Sequence, residues 1–408
     1  MAGPAAGRGR RAAPFERAKP LIIDVAVVGA GPAGLHAAKQ LAESGLEVRV
    51  FEEHATVGSP THCTGIVSLE LTEFAKLPEE LIVNRLRHAR LRGPGGGTCD
   101  IAWNFGAAEE IVVIDRQRFD ESLATAAVAA GAKLQMSTPV RALALEETAV
   151  RVEVDGGAVR ARTCIVASGV SYRFHRQLGL GLPGDVLHTA QVEVDAAPTE
   201  HVDIHIGREI APEGFVWAVP VARGGRTRLR VGILARGPAA TLLQRFLDGA
   251  AVRHGVSSSA ITPITRLLPV KPVPRSYLDR VLLVGDAGGF TKPTTGGGIF
   301  YSMLTASLAA ETLVEAFRAD RFDDDMLGRY QRRWYDRLGH DMRVSEWLRH
   351  LTTRCTDTEL DHLVDALAAD DVQAVIRRAA RFNWHRGVIV ALLRERGVAG
   401  LLFRSLLR

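Results

Sequence analysis

The sequence predicts an α/β protein with a nucleotide-binding strand–helix–strand domain, an antiparallel β-sheet domain and a helical C-terminal region. Three observations carry this. A glycine-rich turn joins a strand to a helix near the N-terminus, and a second follows a buried strand beginning at Val281. Between them lie segments that alternate with the period of strands.

The first turn lies in DVAVVGAGPAGLHAAKQLAESGLEVRVFEE, residues 24–53. Val25 to Val28 reads as a buried parallel strand. Gly29, Gly31 and Gly34 form G-x-G-x-x-G. Leu35, Ala38, Leu41 and Ala42 then recur at helical spacing up to Gly45, and a second strand, Val48 to Phe51, leads into Glu52. Gly29 permits the turn, Gly31 lets backbone approach a pyrophosphate, and Gly34 lets helix pack on strand. The N-terminus of the following helix offers free N–H groups to phosphate, and Glu52 is placed to accept from ribose hydroxyls.

Residues 53–68 form a Gly-, Pro-, Ser- and Thr-rich loop that holds Cys63 and Gly65. Residues 81–115, with GPGGG at 93–97, read as strands of a second sheet. IDRQRFD places Arg116 at the entrance of a helix with Phe119, Leu123, Ala126, Ala127 and Ala130 on one face. Lys133 to Met136 reads as a strand, Val140 begins another, and Val150–Val154 with Val159–Arg162 reads as a hairpin. The apolar strand at Cys164–Gly169 follows as a separate element. From Val186 to Ile233 four strands predict one antiparallel sheet, and 239–253 is helical. Val281–Val284 is a buried strand, Asp286 follows in a turn, and Gly296, Gly297 and Gly298 open a helix beginning at Ile299. From Asp323 onward the pattern is helical.

Composition narrows the function. With 47% hydrophobic and 24% charged residues among 408, the chain reads as a globular protein. Its four scattered cysteines form no C-x-x-C pair, which argues against a zinc site or a disulfide framework and suits a reducing cytoplasm. No metal site is expected. No apolar run reaches the roughly 18 residues that a spanning helix needs. The formal charge of +5 leans partly on residues 1–20, a Gly-, Ala-, Pro- and Arg-rich segment expected to be a disordered basic tail. No aromatic residues interleave its charges as a nucleic-acid stacking surface requires, so no nucleic-acid partner is expected.

These motifs together resemble the geranylgeranyl reductase family, within the flavoproteins similar to p-hydroxybenzoate hydroxylase. The resemblance rests on GAGPAG at 29–34, GSPTHCTGIVS at 58–68, IDRQRFD at 114–120, SGVSYRFHRQLGL at 168–180 and VGDAGGFTKPTTGGGI at 284–299. FVWAVP at 215–220 matches its substrate-side signature. The resemblance implies a glutathione-reductase-like, FAD-binding Rossmann domain at 21–80, 110–180 and 276–320. A substrate-binding β domain would comprise 81–109 and 181–275, and a helical region 321–408. It implies FAD contacts at Ala33, Glu52, Cys63, Gly65, Arg116, Val140, Asp286, Gly298 and Ile299 alongside the glycines. Cys63 would lie near the flavin and be a candidate for its reacting face, while Phe215, Trp217 and Pro220 would shape a substrate pocket. Phe215 stands where the family commonly has Tyr, Val219 where it has Phe, and Lys292 where Asn or Asp is usual.

The activity so implied is saturation of C=C bonds in isoprenoid chains on a lipid, quinone or chlorophyll-like carrier. No second strand–GxGxxG–helix unit is present, so an external reductant, NAD(P)H or reduced ferredoxin, is implied, the latter an electron-donor protein partner. The sequence 388–408 mixes apolar clusters with arginines and suits either peripheral contact with the inner face of the membrane or docking on its own domain. The rival is a flavin-dependent monooxygenase or halogenase, since GFVWAVP is similar to the halogenase pattern Gly-Trp-x-Trp-x-Ile-Pro. A flavin-binding protein without turnover is a third class.

Overall fold

The computed structural model describes residues 22–102, 110–196, 199–223, 226–254 and 262–404. The basic tail at 1–20 lies outside the described residues, as do 103–109 and the last four positions.

Strand Ile22–Val28 sits at the centre of a mixed sheet. It pairs in parallel with Gly157–Val166 on one side and Val48–Phe51 on the other. Lys133–Gln135 extends the parallel run beyond Val48–Phe51, and Val281–Leu283 extends it beyond Gly157–Val166. Both faces of the central strand are buried. Val25 and Val27 enter one core with helices Pro32–Glu43, Arg116–Ala129 and Ile299–Ala319; Ala26 and Val28 enter another with Phe51, Val140 and Phe174. That two-sided burial explains why the strand reads as a continuous apolar run rather than an alternating one.

One expected break is absent. The strand expected at Val159–Arg162 and the one expected at Cys164–Gly169 are a single element, Gly157–Val166. Its first half closes the hairpin with Val150–Val154 and its second half joins the parallel core, so one strand serves both pairings. The Arg116–Ala129 helix is also turned slightly from expectation. Asp120 and Ala124 are buried, whereas Ala126 and Ala130 are only half-buried.

A seven-stranded sheet runs in the order Ile264–Lys271, Asp185–Asp195, Arg226–Ala235, Phe215–Arg223, Val202–His205, His88–Arg92, Thr98–Ala102. Its neighbours are antiparallel except Val202–His205 and His88–Arg92, which are parallel because they come from separate passes of the chain. Residues 81–115 do not all join it. Ile111–Ile114 pairs with Ile82–Leu86 on one side and Ile66–Ser68 on the other in a small third sheet. Helix Ala239–His254 packs on one face of the large sheet. Beyond Asp323 the described residues form helices, among them His340–Thr352, Asp357–Ala368, Asp370–Ala379, Arg386–Leu392 and Arg396–Arg404.

Candidate functional site

The three glycines of the first turn have three separable reasons to be glycine. Gly29 has φ +106°, and a β-carbon there would fall onto the carbonyl oxygen of Ala167. A β-carbon at Gly34 would fall onto the carbonyl of Gly29. Gly31 meets nothing within 4 Å, so its exclusion of a side chain serves space outside the protein's own packing. Gly31 is the N-cap of Pro32–Glu43 and has no side chain to cap the helix, leaving N–H groups for an anion. Glu52 follows the neighbouring strand and is 9% exposed. Its carboxylate accepts from Ala30 N–H at 2.7 Å and from His54 N–H at 2.9 Å. Val140, near Phe51 in the same core, accepts a hydrogen bond at its carbonyl from Arg173.

Asp286 lies just past the Val281–Leu283 strand, in the Gly285–Gly288 turn. A β-carbon at Gly298 would lie 3.2 Å from Asp286 Oδ1, so the aspartate stands against the start of the Ile299–Ala319 helix. Gly298 caps that helix and again supplies no side-chain acceptor. Burial pushes the Asp286 carboxyl up to about 6, against the pull of Arg116. Arg116 in turn forms a buried pair with Asp120, Nη2 to Oδ2 at 3.0 Å. Burial opposes its charge, but Asp120 and Cys63 outweigh it and keep the guanidinium charged. Carboxylate, guanidinium and two uncapped helix starts therefore converge at the carboxyl ends of the parallel strands, where open α/β sheets bind ligands. This donor set fits FAD.

The Cys63 loop bridges this centre and the large sheet. Thr64 Oγ1 donates to Gln191 Oε1 at 2.7 Å, and Arg230 Nη1 donates to the Thr64 carbonyl at 2.6 Å. Gly65, at φ +80°, leaves room for Ile114 O and the Arg116 side chain. Gln191, Gly232 and Trp217 form one cross-strand row, with the Trp217 indole occupying the space a side chain at Gly232 would fill. Phe215 stands beside Trp217, ring centroids 5.8 Å apart. Gly296 of the second glycine turn rests on Leu268 of the same sheet. Pro220 does not join Phe215 and Trp217. Its odd spacing puts it on the opposite face, and its carbonyl accepts from Asn84.

Between the large sheet and the C-terminal helices lies an apolar cavity of about 280 Å³. Phe215 and Leu91 line it from the sheet, Leu363 and Leu392 from the helices, and Thr294 from the loop before Gly296.

A family model described as lycopene cyclase protein matches residues 24–364. The digeranylgeranylglycerophospholipid reductase of Methanosarcina acetivorans is 31% identical over 397 residues, covering 90% of this chain and 96% of that protein. The chain belongs to the geranylgeranyl reductase family of FAD-dependent oxidoreductases. A solved structure of a geranylgeranyl bacteriochlorophyll reductase-like protein from Thermoplasma acidophilum shares the fold of this reductase, with a TM-score of 0.82 and 24% identity over 94% of this chain and 99% of that one. The halogenase PltM in complex with phloroglucinol and FAD shares it more distantly, at 0.68 and 15%, over 95% of this chain and 93% of that one.

The structure also brings to this region residues that were not among the expected contacts. Lys292 is buried beside Gly297, and its ammonium donates to Phe382 O at 2.9 Å and Asn383 Oδ1 at 3.2 Å. It also lies 4.0 Å from the Phe382 ring centroid. Burial lowers its pKa to about 7, with Glu70 and Asp341 opposing. Asn383 donates to Ser68 Oγ and Glu70 Oε2, tying the strand after the Cys63 loop to the C-terminal region. His385 Nε2 donates to Phe382 O, so its Nδ1 accepts from Thr294 Oγ1 at 2.5 Å. The aromatic and polar run RFNWHR at 381–386 was the available signal, but partners so distant in sequence leave no spacing to read.

Proposed function

We propose that this reductase saturates C=C bonds of isoprenoid chains carried on a lipid, quinone or chlorophyll-like carrier. The observation that supports it most is the aliphatic cavity that touches both Phe215 and Thr294, the latter in the loop leading to Gly296–Gly298. An isolated alkene is weakly polarised and needs a dry, shaped site that orients it. The relatives named as digeranylgeranylglycerophospholipid reductases support the same substrate class.

In this reading the helix starts at Gly31 and Gly298 receive the negative parts of the cofactor, Glu52 its ribose and Asp286 a ribityl hydroxyl. Ala33, Gly65, Arg116, Val140, Gly297 and Ile299 complete the cofactor contacts. Bound FAD, reduced from outside by NAD(P)H or reduced ferredoxin, supplies the hydride. Cys63, half-buried beside Arg116, borders the reacting face in a loop fixed by Gln191 and Arg230. Phe215 and Trp217 hold the chain and exclude water.

Peripheral membrane contact belongs to the same reading. No described helix is long and apolar enough to cross a membrane. Val398 and Leu402 turn inward, while Val390 and Phe403 remain exposed in a segment that also carries Arg394 and Arg396 and would meet an anionic surface. Failure to float with anionic liposomes would remove that part.

The function is tested by mass spectrometry of polar lipids and quinones from cells with and without this chain. Isoprenoid species gaining two hydrogens per reduced bond only when the chain is present are expected; identical lipid masses would refute it. The halogenase or monooxygenase alternative predicts rapid, substrate-stimulated oxygen uptake instead.

A further inference from the structure

The apolar cavity contains a feature that a hydrocarbon chain does not need. Arg208, Glu213 and Arg349 share its otherwise mainly apolar wall. Glu213 is already engaged, accepting from Arg236 Nε at 3.0 Å and Nη2 at 2.8 Å. Arg236 reaches on to Asp185 at 2.9 Å, and Lys271 faces Glu346 at 3.6 Å. The acids around the cavity thus have cationic partners of their own.

Arg349 has no hydrogen-bonded acceptor among the described residues, only a looser ion pair with Glu213. Its side chain is 11% exposed, and Nη2 is buried with no hydrogen-bond partner among the described residues. Glu213 Oε2 stands 3.7 Å from it, outside hydrogen-bond length. Burial pulls its pKa below the usual arginine value although Asp185 and Glu213 oppose the shift. A desolvated guanidinium with an open donor is costly unless an acceptor completes it. Phosphate oxygens match that fork in charge and geometry.

We propose that Arg349 binds the phosphate or diphosphate group of the prenyl substrate, with Arg208 as a second cation at the exposed rim. This rests on the isoprenoid reading. The anion is fixed at Arg349 while the chain fills the aliphatic part of a cavity whose wall also includes Thr294, so the anchor sets which double bonds reach the redox centre.

The test measures binding of four probes to the FAD-loaded full chain: geranylgeranyl phosphate, geranylgeranyl diphosphate, digeranylgeranylglycerophosphate and the neutral geranylgeraniol. Arg349→Met is expected to weaken the anionic probes about tenfold or more and geranylgeraniol less than about twofold. Arg349→Lys restores part of the loss, and inorganic diphosphate competes with geranylgeranyl diphosphate on the unaltered protein, a readout independent of whether a variant folds. A response confined to the lipid-borne phosphate, or to the free phosphates, supports the anion site and identifies its source. Equal weakening of all four probes, or unchanged binding of the anionic ones together with no competition by diphosphate, overturns it. Should the unaltered protein bind none of the four, the isoprenoid reading itself fails; tight geranylgeraniol binding without preference for anions refutes only the anchor.

Discussion

The β-carbon of Ala33 lies 3.1 Å from the position a side chain at Gly285 would take. This contact locks the first glycine turn against the Gly285–Gly288 turn, and Gly285, at φ +60°, allows it by having no side chain. Two stretches far apart in sequence thereby form one cradle, and its chemistry follows from their being held together.

Gly31 and Gly34 should separate binding from folding. Gly31 has an ordinary φ of −79° and an open surround, so Gly31→Ala should melt like the unaltered protein without FAD yet bind FAD at least about tenfold more weakly. Gly34→Ala drives a methyl group onto the Gly29 carbonyl and should destabilise the FAD-free protein by roughly 1–3 kcal/mol. Thermal melts and FAD titrations of both variants check this; equal melting temperatures would contradict it.

Lys292 should make the FAD-free protein more stable as pH rises from about 7 toward 10. Its folded pKa of about 7 lies below the unfolded value, so in that window the unfolded chain holds the extra proton and raising pH favours folding. Lys292→Met should flatten that slope in urea melts collected across the range.

Asp286 acts with the opposite sign in a lower window. Its folded pKa of about 6 is raised, so the folded chain holds the extra proton and the contribution of this group to stability falls between about pH 4 and 6. Asp286→Asn should remove that component and weaken FAD. An unchanged acid-limb profile would show that the carboxylate is better compensated than its surroundings indicate.

Cys63→Ala should retain FAD, because Thr64 and Gly65 still hold the loop when the thiol's contact with Arg116 is lost. If Cys63 borders the reacting face, stopped-flow reoxidation of reduced enzyme by an isoprenoid alkene should slow about tenfold or more while dithionite reduction is unchanged. Reoxidation at the unaltered rate assigns the thiol to packing.

The glycine turns, Glu52 and Asp286 were legible because their geometry is local: backbone conformation and helix starts are encoded within a few residues. The parallel sheet was legible for the same reason, through uninterrupted apolar runs bounded by turns. The division at Arg162 was not, because Gly157–Val166 changes partners midway and nothing in its own residues marks the change. The face of Pro220 could be read only with strand parity in hand. Lys292 stood out only as a departure from the family pattern, and Gln191, Arg230 and Asn383 stayed silent, because their roles depend on partners from distant elements. A lysine reads as surface until the fold buries it against Phe382.

The most direct test is a single anaerobic turnover. Enzyme loaded with FAD, reduced and mixed with a geranylgeranyl lipid should reoxidise its flavin as the lipid gains two hydrogens for each flavin oxidised. Flavin that stays reduced and lipid of unchanged mass, across lipid, quinone and chlorophyll-type carriers, would contradict the account.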